Sequence, residues 1–190
     1  TRFGMKPGLR NIEALVERFD RPDRGLRFLH VAGTNGQGSV CHMLEAQLRA
    51  AGHRTGLFTS PHLLHVGERL RVDGESPSDA GVAALVGRGA PVVSELEATF
   101  FETLTLMALL HFAEQDVDWV LWETGLGVHH PRAVEASLLT GVSLDHTKYL
   151  GSTVEEIARD KLGIGRAGKP FYTALAEPGR YPACPARSLP

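Results

Sequence analysis

A glycine-rich turn joins an apolar strand to a helix, and this arrangement admits few folds. The segment reads FLHVAGTNGQGS over residues 28–39, and an amphipathic helical pattern follows it. In this order the backbone N–H groups of the turn form a concave surface for phosphate oxygens, with the positive end of the helix dipole behind them. The pattern predicts a nucleotide-binding loop formed by Gly33, Thr34, Asn35, Gly36, Gln37, Gly38 and Ser39.

One residue of this loop departs from the usual pattern. A P-loop adds a lysine that contacts the β- and γ-phosphates and a serine or threonine hydroxyl that binds Mg²⁺. Ser39 supplies the hydroxyl, whereas Gln37 stands at the position of the lysine. Glutamine can donate a hydrogen bond to phosphate, but it carries no charge. We therefore expect a loop that binds nucleotide but supports turnover of the nucleotide poorly.

The composition is that of a globular protein and argues against several other classes. The 190 residues suffice for one well-buried domain, and a net charge of −2 provides no basic surface for nucleic acid. No apolar run has the length of a membrane span. Cys41 lies in a helical stretch and is predicted to be a reduced core thiol. We expect a cytoplasmic protein that contacts neither nucleic acid nor membranes.

Helical and strand patterns alternate along the chain. Such alternation, with continuous apolar strands, predicts an α/β fold whose mostly parallel sheet is covered by helices on both faces. Residues 63–74 show no clear pattern, and prolines every few positions in 176–190 predict a disordered tail after a single domain at 1–175. The predicted helices are 11–19, 39–51, 78–87, 99–114 and 152–163, and the predicted strands are 28–32, 55–59, 119–123, 138–144 and 170–174.

Polar residues that could bind ligands or take part in catalysis follow several of the predicted strands. Ligands of parallel α/β sheets bind beyond the carboxyl ends of the strands, so these residues are expected to converge there. Glu123 ends a hydrophobic strand, where an unpaired buried charge would be costly and is hard to explain as core. The converging segments are Gly33–Ser39, Ser60-Pro61-His62, Glu123-Thr124-Gly125 and Asp145-His146.

Seven segments together form a more specific pattern. They are HVAGTNGQGS at 30–39, GLFTSPHL at 56–63, ERLRVDG at 68–74, TFFETL at 99–104, LWETGLG at 121–127, LDHTKYLG at 144–151 and EIARDKLGI at 156–164. In sequence and order they resemble the folylpolyglutamate synthase and dihydrofolate synthase family of the Mur ligase superfamily. The resemblance implies the P-loop-type central domain of a Mur ligase, here truncated.

The resemblance also implies a reaction. Members of the family are ATP-dependent ligases that convert the carboxylate of a folate or dihydropteroate to an acyl phosphate, which the amine of glutamate then displaces. The implied cofactors are ATP and Mg²⁺. Ser39 and Ser60 match positions that bind the Mg²⁺ of the nucleotide, and Glu123 and His146 match ligands of a second metal. Lys161 matches a lysine that the family carbamylates. The segment after His62, through Glu68 and Arg69, resembles a loop that folds over the site.

Considered without the resemblance, several of these residues have simpler roles. Ser60 before Pro61 is typical of a turn, and Asp145 with His146 could form a hydrogen-bonded pair in a loop. Lys161 could be a solvated lysine that complements the dipole at a helix end.

Three departures from the family predict impaired catalysis. Gln37 replaces the lysine, the segment 127–133 lacks the family's glycine-arginine-aspartate-asparagine stretch, and the family's C-terminal domain is absent. Three hypotheses follow. The chain is an impaired folate–glutamate ligase; or it is a non-catalytic module that binds nucleotide or folate, with a protein partner covering the truncated sheet; or it is a remnant without function.

Overall fold

A six-stranded sheet organises the molecule. The computed structural model describes residues 9–125, 131, 133–145 and 151–174. The predicted tail at 176–190 and His146 lie outside these described residues. The strands are β1 (Arg27–Ala32), β2 (Thr55–Phe58), β3 (Leu70–Val72), β4 (Trp119–Glu123), β5 (Val134–Leu139) and β6 (Phe171–Thr173).

The sheet is mostly parallel, as the alternation of helices and strands predicts. Its strand order is β3-β2-β4-β1-β5-β6, and only the pairing of β2 with β3 is antiparallel. Because β1 lies between β4 and β5, the turn that follows β1 emerges at the centre of the carboxyl edge. The fold therefore places the glycine-rich loop between the ends of β4 and β5, with the end of β2 one strand beyond β4.

Helices cover both faces of the sheet and enclose its apolar side chains. They are α1 (Arg10–Arg18), α2 (Gln37–Ala50), α3 (Asp79–Glu95), α4 (Phe100–Glu114) and α5 (Val154–Leu162), and a 3-10 turn spans Val66–Arg69. One face packs against α1, α3 and α4, where Trp122 of β4 stacks on Phe58 of β2 with ring centroids 4.1 Å apart. The other face packs against α2 and includes buried Val31, Cys41 and Leu121. Cys41 is a free thiol in this core, as predicted.

Three elements differ from their predicted extents. The strand predicted at 138–144 is Val134–Leu139, because the chain after Leu139 leaves the sheet to pair with the glycine-rich loop. The helix predicted at 78–87 continues to Glu95, through Pro91. Residues 63–74, which had no clear pattern, contain β3, where Leu70 and Val72 are buried. Three residues are too few for an alternating pattern to be recognised from sequence.

Helix α2 packs Val40, Leu44 and Leu48 against the sheet, but not every apolar residue of the helix takes part. Met43 is 57% exposed, whereas Cys41 and Glu45 are buried. Glu45 accepts a hydrogen bond from the hydroxyl of Thr55, with an oxygen–oxygen distance of 2.7 Å. A carboxylate satisfied in this way can take a core-facing position that hydrophobicity alone assigns to an apolar side chain.

Candidate functional site

The glycine-rich loop leaves β1 at Ala32 and enters α2 at Gln37. Gly36 is the N-cap of α2 and has a φ of +83°, a left-handed conformation that glycine adopts at little cost. Since the cap residue has no side chain, no cap side chain satisfies the first N–H groups of the helix. The loop therefore presents backbone donors and the positive end of a 14-residue helix to the carboxyl edge of the sheet.

The segment after β5 holds the loop in place. The backbone N–H of Thr34 donates to the carbonyl oxygen of Gly141 at 2.8 Å, and the hydroxyl of Thr140 donates to the carbonyl oxygen of Asn35 at 2.8 Å. A Cβ on Gly33 would overlap the Thr140 hydroxyl, so this glycine is required by close approach. Sequence reasoning missed Thr140, because it had assigned residues 138–144 to a strand.

A cavity of about 610 Å³ lies beside the loop. It is formed where the carboxyl ends of β1, β2 and β4 meet the start of α4 and the end of α5. Its lining includes all seven loop residues, together with Ser60, Pro61, Arg69, Phe101, Glu123, Thr124, Gly125, Asp145 and Lys161. The structure thus brings the predicted residues Ser39, Ser60, Glu123 and Lys161 to one cavity.

Glu123 is a buried carboxylate at the wall of the cavity, with only 4% of its surface exposed. Its Oε2 accepts a hydrogen bond from the backbone N–H of Ser60 at 2.6 Å. A Cβ placed on Gly38 would lie 3.7 Å from Oε1, so the loop backbone passes close to this carboxylate. Burial raises the pKa of Glu123, and the Ser60 N–H and the charge of Arg69 partly oppose this rise.

Arg69 places a second buried charge at the cavity. Its guanidinium Nε donates to Nδ1 of His62 at 2.7 Å, and the guanidinium carbon lies 5.6 Å from the centre of the Phe100 ring. Burial lowers the pKa of Arg69, while the charge of Glu123 acts in the opposite direction. Sequence reasoning assigned Arg69 to a loop over the site. Arg69 lies in the cavity wall, where its carbonyl oxygen accepts a hydrogen bond from the backbone N–H of Thr59 at 3.3 Å.

Glu68 holds the segment that precedes β3. Its carboxylate accepts hydrogen bonds from the backbone N–H groups of Leu63, Leu64 and His65 at 2.8–3.0 Å. These backbone donors lower the pKa of Glu68 to about 2. The side chains of Leu63 and Leu64 are 89% and 81% exposed. The loop near the site is therefore tied at its backbone and exposes two leucines.

Lys161 reaches the cavity from the last turn of α5. It is half-buried, and this burial lowers its pKa, although the charges of Asp160 and Asp145 act to raise it. Asp145 also lines the cavity. The environment thus increases the fraction of Lys161 that carries a neutral amine.

The oxygen donors of the cavity suit Mg²⁺, which also binds waters and substrate phosphates, better than they suit a metal held by protein ligands alone. Among the described residues, no group of three His, Cys, Asp or Glu side chains could hold a metal ion. Magnesium is commonly bound by one or two carboxylates together with waters and substrate phosphates. The hydroxyls of Ser39 and Ser60 and the carboxylate of Glu123 match that chemistry. His146, the other predicted ligand, lies outside the described residues.

None of the helices in the described residues combines the length and the hydrophobicity that a membrane span requires.

The fold and the cavity define an α/β protein with a glycine-rich strand-to-helix loop at the carboxyl edge of its parallel sheet. No protein-family model matches the chain. The chain is, however, 41% identical over 188 residues to a dihydrofolate synthase/folylpolyglutamate synthase of Bacillus subtilis (strain 168). The aligned region covers 93% of this chain and 44% of the relative.

Solved structures agree with the sequence comparison. Escherichia coli FolC in complex with ADP superposes with a TM-score of 0.84 at 33% identity, over 95% of this chain and 44% of that one. A folylpolyglutamate synthase with AMPPCP and folate gives a TM-score of 0.83 at 32% identity, over 90% of this chain and 45% of the other. The chain belongs to the folylpolyglutamate synthase/dihydrofolate synthase family and spans less than half the length of these relatives.

Proposed function

We propose that this chain carries the nucleotide-binding part of an ATP-dependent folate–glutamate ligase. The observation that carries the proposal is the convergence of the glycine-rich loop, Ser60, Glu123 and Lys161 on one cavity. The loop binds the phosphates of ATP through its backbone N–H groups and the α2 dipole. Relatives with similar folds form complexes with ADP and AMPPCP, which supports a nucleotide as the ligand.

In this proposal, Ser39 and Ser60 bind the Mg²⁺ of the nucleotide, and Glu123 binds a second metal ion. A bound Mg²⁺ supplies charge that stabilises phosphate oxygens. Glu123 suits this role because a cation offsets the cost of burying its carboxylate. His146 remains a predicted ligand of that second metal, together with Glu123.

Lys161 is proposed to react with CO2 as the family resemblance implies: the neutral Nζ forms a bond to the carbon of CO2 and loses one proton to solvent, which leaves a carbamate anion. Carbamylation requires a neutral amine, and burial lowers the pKa of Lys161 in the direction that favours this form. The product would bring a negative charge next to the proposed metal site. Its detection by mass spectrometry under CO2, and its loss in Lys161→Met, would support this role.

The substrates of the complete reaction are a folate or dihydropteroate and glutamate. A family relative has been solved in complex with AMPPCP and folate, which supports this class of substrate. In the cavity wall, Arg69 offers a positive charge suited to an anionic carboxylate or phosphate. Pairing of its main chain with Thr59, at 3.3 Å, holds it at this position.

Gln37 favours an impaired enzyme or a non-catalytic binding module. Loss of one preorganised donor to a reacting group typically lowers the rate by about 10²–10³-fold, and the lysine would also supply a full charge. In the alternative, the chain binds nucleotide or folate without ligation, and a protein partner covers the sheet edge at β6. Tyr172 of that strand is 59% exposed, so its side chain is available for contact with such a partner.

Incorporation of labelled glutamate into folate or dihydropteroate, in the presence of Mg-ATP, tests the ligase proposal. We expect slow product formation by the natural chain and faster formation by Gln37→Lys. Nucleotide binding without product in either protein would favour the non-catalytic alternative. Absence of both nucleotide binding and product from folded protein would contradict the proposed function.

A further inference from the structure

Gln37 affects the relative affinities of the cavity for different nucleotides. We propose that the cavity binds a nucleoside diphosphate about as tightly as the triphosphate, and that the residue at position 37 determines this lack of discrimination. The inference deepens the proposed function and rests on it, since it presumes that the loop binds nucleotide.

The side chain of Gln37 lies against the loop that it helps to form. Gln37 is the first residue of α2 and lines the cavity. Its Oε1 is buried and accepts no hydrogen bond from any described residue. A Cβ placed on Gly33 would lie 3.3 Å from this oxygen, so the amide is close to the loop backbone. The position therefore contributes a neutral amide where a P-loop has a cation.

The ionisable side chains in the described lining of the cavity balance one another. They are Arg69, Lys161, Glu123 and Asp145: with Lys161 as a cation, the two positive charges only equal the two carboxylates, and carbamylation of Lys161 would make this lining net negative. The charge of Glu123 acts on Arg69, and that of Asp145 acts on Lys161. A third phosphate would thus enter a lining in which each cation already interacts with a carboxylate. A lysine at position 37 would add one positive charge that no carboxylate of this lining offsets.

The contacts that remain favour the inner phosphates. The backbone N–H groups of the loop and the α2 dipole do not depend on the side chain at position 37. In a P-loop these groups cradle the α- and β-phosphates, and the lysine reaches the β- and γ-phosphates. Replacing that lysine therefore removes affinity chiefly from the triphosphate, so the affinities of the two nucleotides converge.

Calorimetric titration with Mg-ADP and with Mg-AMPPCP tests the inference on the full chain. For the natural protein we expect dissociation constants within about threefold of each other. In Gln37→Lys, the affinity for AMPPCP should rise at least about tenfold and that for ADP should rise less, since the new charge faces the outer phosphates. Gln47→Lys is the matched control, because Gln47 is exposed on the same helix and lies outside the cavity lining. It should change neither affinity by more than about twofold.

Two results would overturn the inference and leave the proposed function intact. One is a natural chain that binds AMPPCP more than about tenfold tighter than ADP. The other is a Gln37→Lys variant that binds both nucleotides more tightly by the same factor. If the natural chain and the variant are folded by circular dichroism and neither binds either nucleotide, the proposed function fails, and the inference fails with it.

Discussion

Glu123 is a buried carboxylate whose charge opposes folding unless a cation compensates it. Burial raises its pKa above the usual 4.5, so the folded state retains the proton in a range where the unfolded chain has lost it. Stability contributed by this group therefore falls as the pH rises from 4.5 through the folded pKa. At neutral pH, Glu123→Gln removes the cost of burying an ionised carboxylate and should increase the free energy of unfolding by roughly 1 kcal/mol.

Urea unfolding of Glu123→Gln and the natural chain at pH 7 and pH 4 measures this effect without metal. We expect the difference between the two proteins to shrink at pH 4, where the folded carboxyl is protonated. Mg²⁺ with ATP should raise the melting temperature of the natural chain more than that of the variant. Glu155→Gln, on the exposed face of α5, is the matched control. Equal stability of all three proteins at pH 7 would contradict a destabilising charge at Glu123.

Lys161 should show its lowered pKa in its reactivity. Competitive acylation across a pH series reports the midpoint at which the amine becomes neutral, and peptide mass spectrometry assigns it to Lys161. We expect a midpoint below the usual 10.5 in the folded chain, because burial disfavours the cation, and a return toward 10.5 when the chain is unfolded in urea. The same midpoint in both states would argue against a neutral amine at the site.

Two helices begin with the same capping box, and they differ in burial. Thr99 accepts from the N–H of Glu102 at 3.2 Å while Glu102 accepts from the N–H of Thr99 at 2.7 Å, with both residues buried. Thr153 and Glu156 form the equivalent box on an exposed surface. Thr99→Ala should cost about 2 kcal/mol and Thr153→Ala about 1 kcal/mol, because the buried box leaves its groups without water. Chemical denaturation of both variants would show the order, and a larger loss in Thr153→Ala would contradict it.

The loop after β1 should depend on the segment after β5. Gly33→Ala places a methyl group on the Thr140 hydroxyl, so it should displace the loop and destabilise the protein by about 2 kcal/mol. Thr140→Ala removes that hydroxyl and should restore part of the loss in the double variant. A coupling free energy of about 1 kcal/mol is expected from the four-protein cycle. Simple additivity of the two substitutions would show that the close approach does not constrain the loop.

Much of the molecule's architecture could be predicted from its sequence, and the exceptions have physical reasons. β1 and β4 are apolar runs between turn signals, and the Thr153–Glu156 capping box marks the start of α5. β3 was missed because a three-residue strand carries too little periodicity, and it is formed by pairing with β2. β5 was displaced because the apolar residues after Leu139 resemble a strand, although their backbone groups bond to the loop.

The residues of the candidate site also divide into those that the sequence predicts and those that only the fold brings to the site. Gly33–Ser39 and Glu123 lie at predicted strand ends, so parallel topology alone places them on one edge. Arg69 depends on an antiparallel pairing that no local pattern reveals, and Thr140 depends on a contact between segments more than 100 residues apart. Local signals therefore identify the residues at the carboxyl edge, whereas the side chains that hold them come from long-range packing.

A titration of the ¹⁵N-labelled chain with Mg-ATP, followed by its amide resonances, tests whether the cavity binds the nucleotide. We expect the largest shifts on Gly33–Ser39, which provides the backbone donors, and on Ser60 beside Glu123. Gly87, in α3 and outside the cavity lining, should remain unchanged. Absence of shifts in folded protein at millimolar nucleotide, or shifts confined to residues outside the cavity, would contradict the claim that this cavity binds the nucleotide.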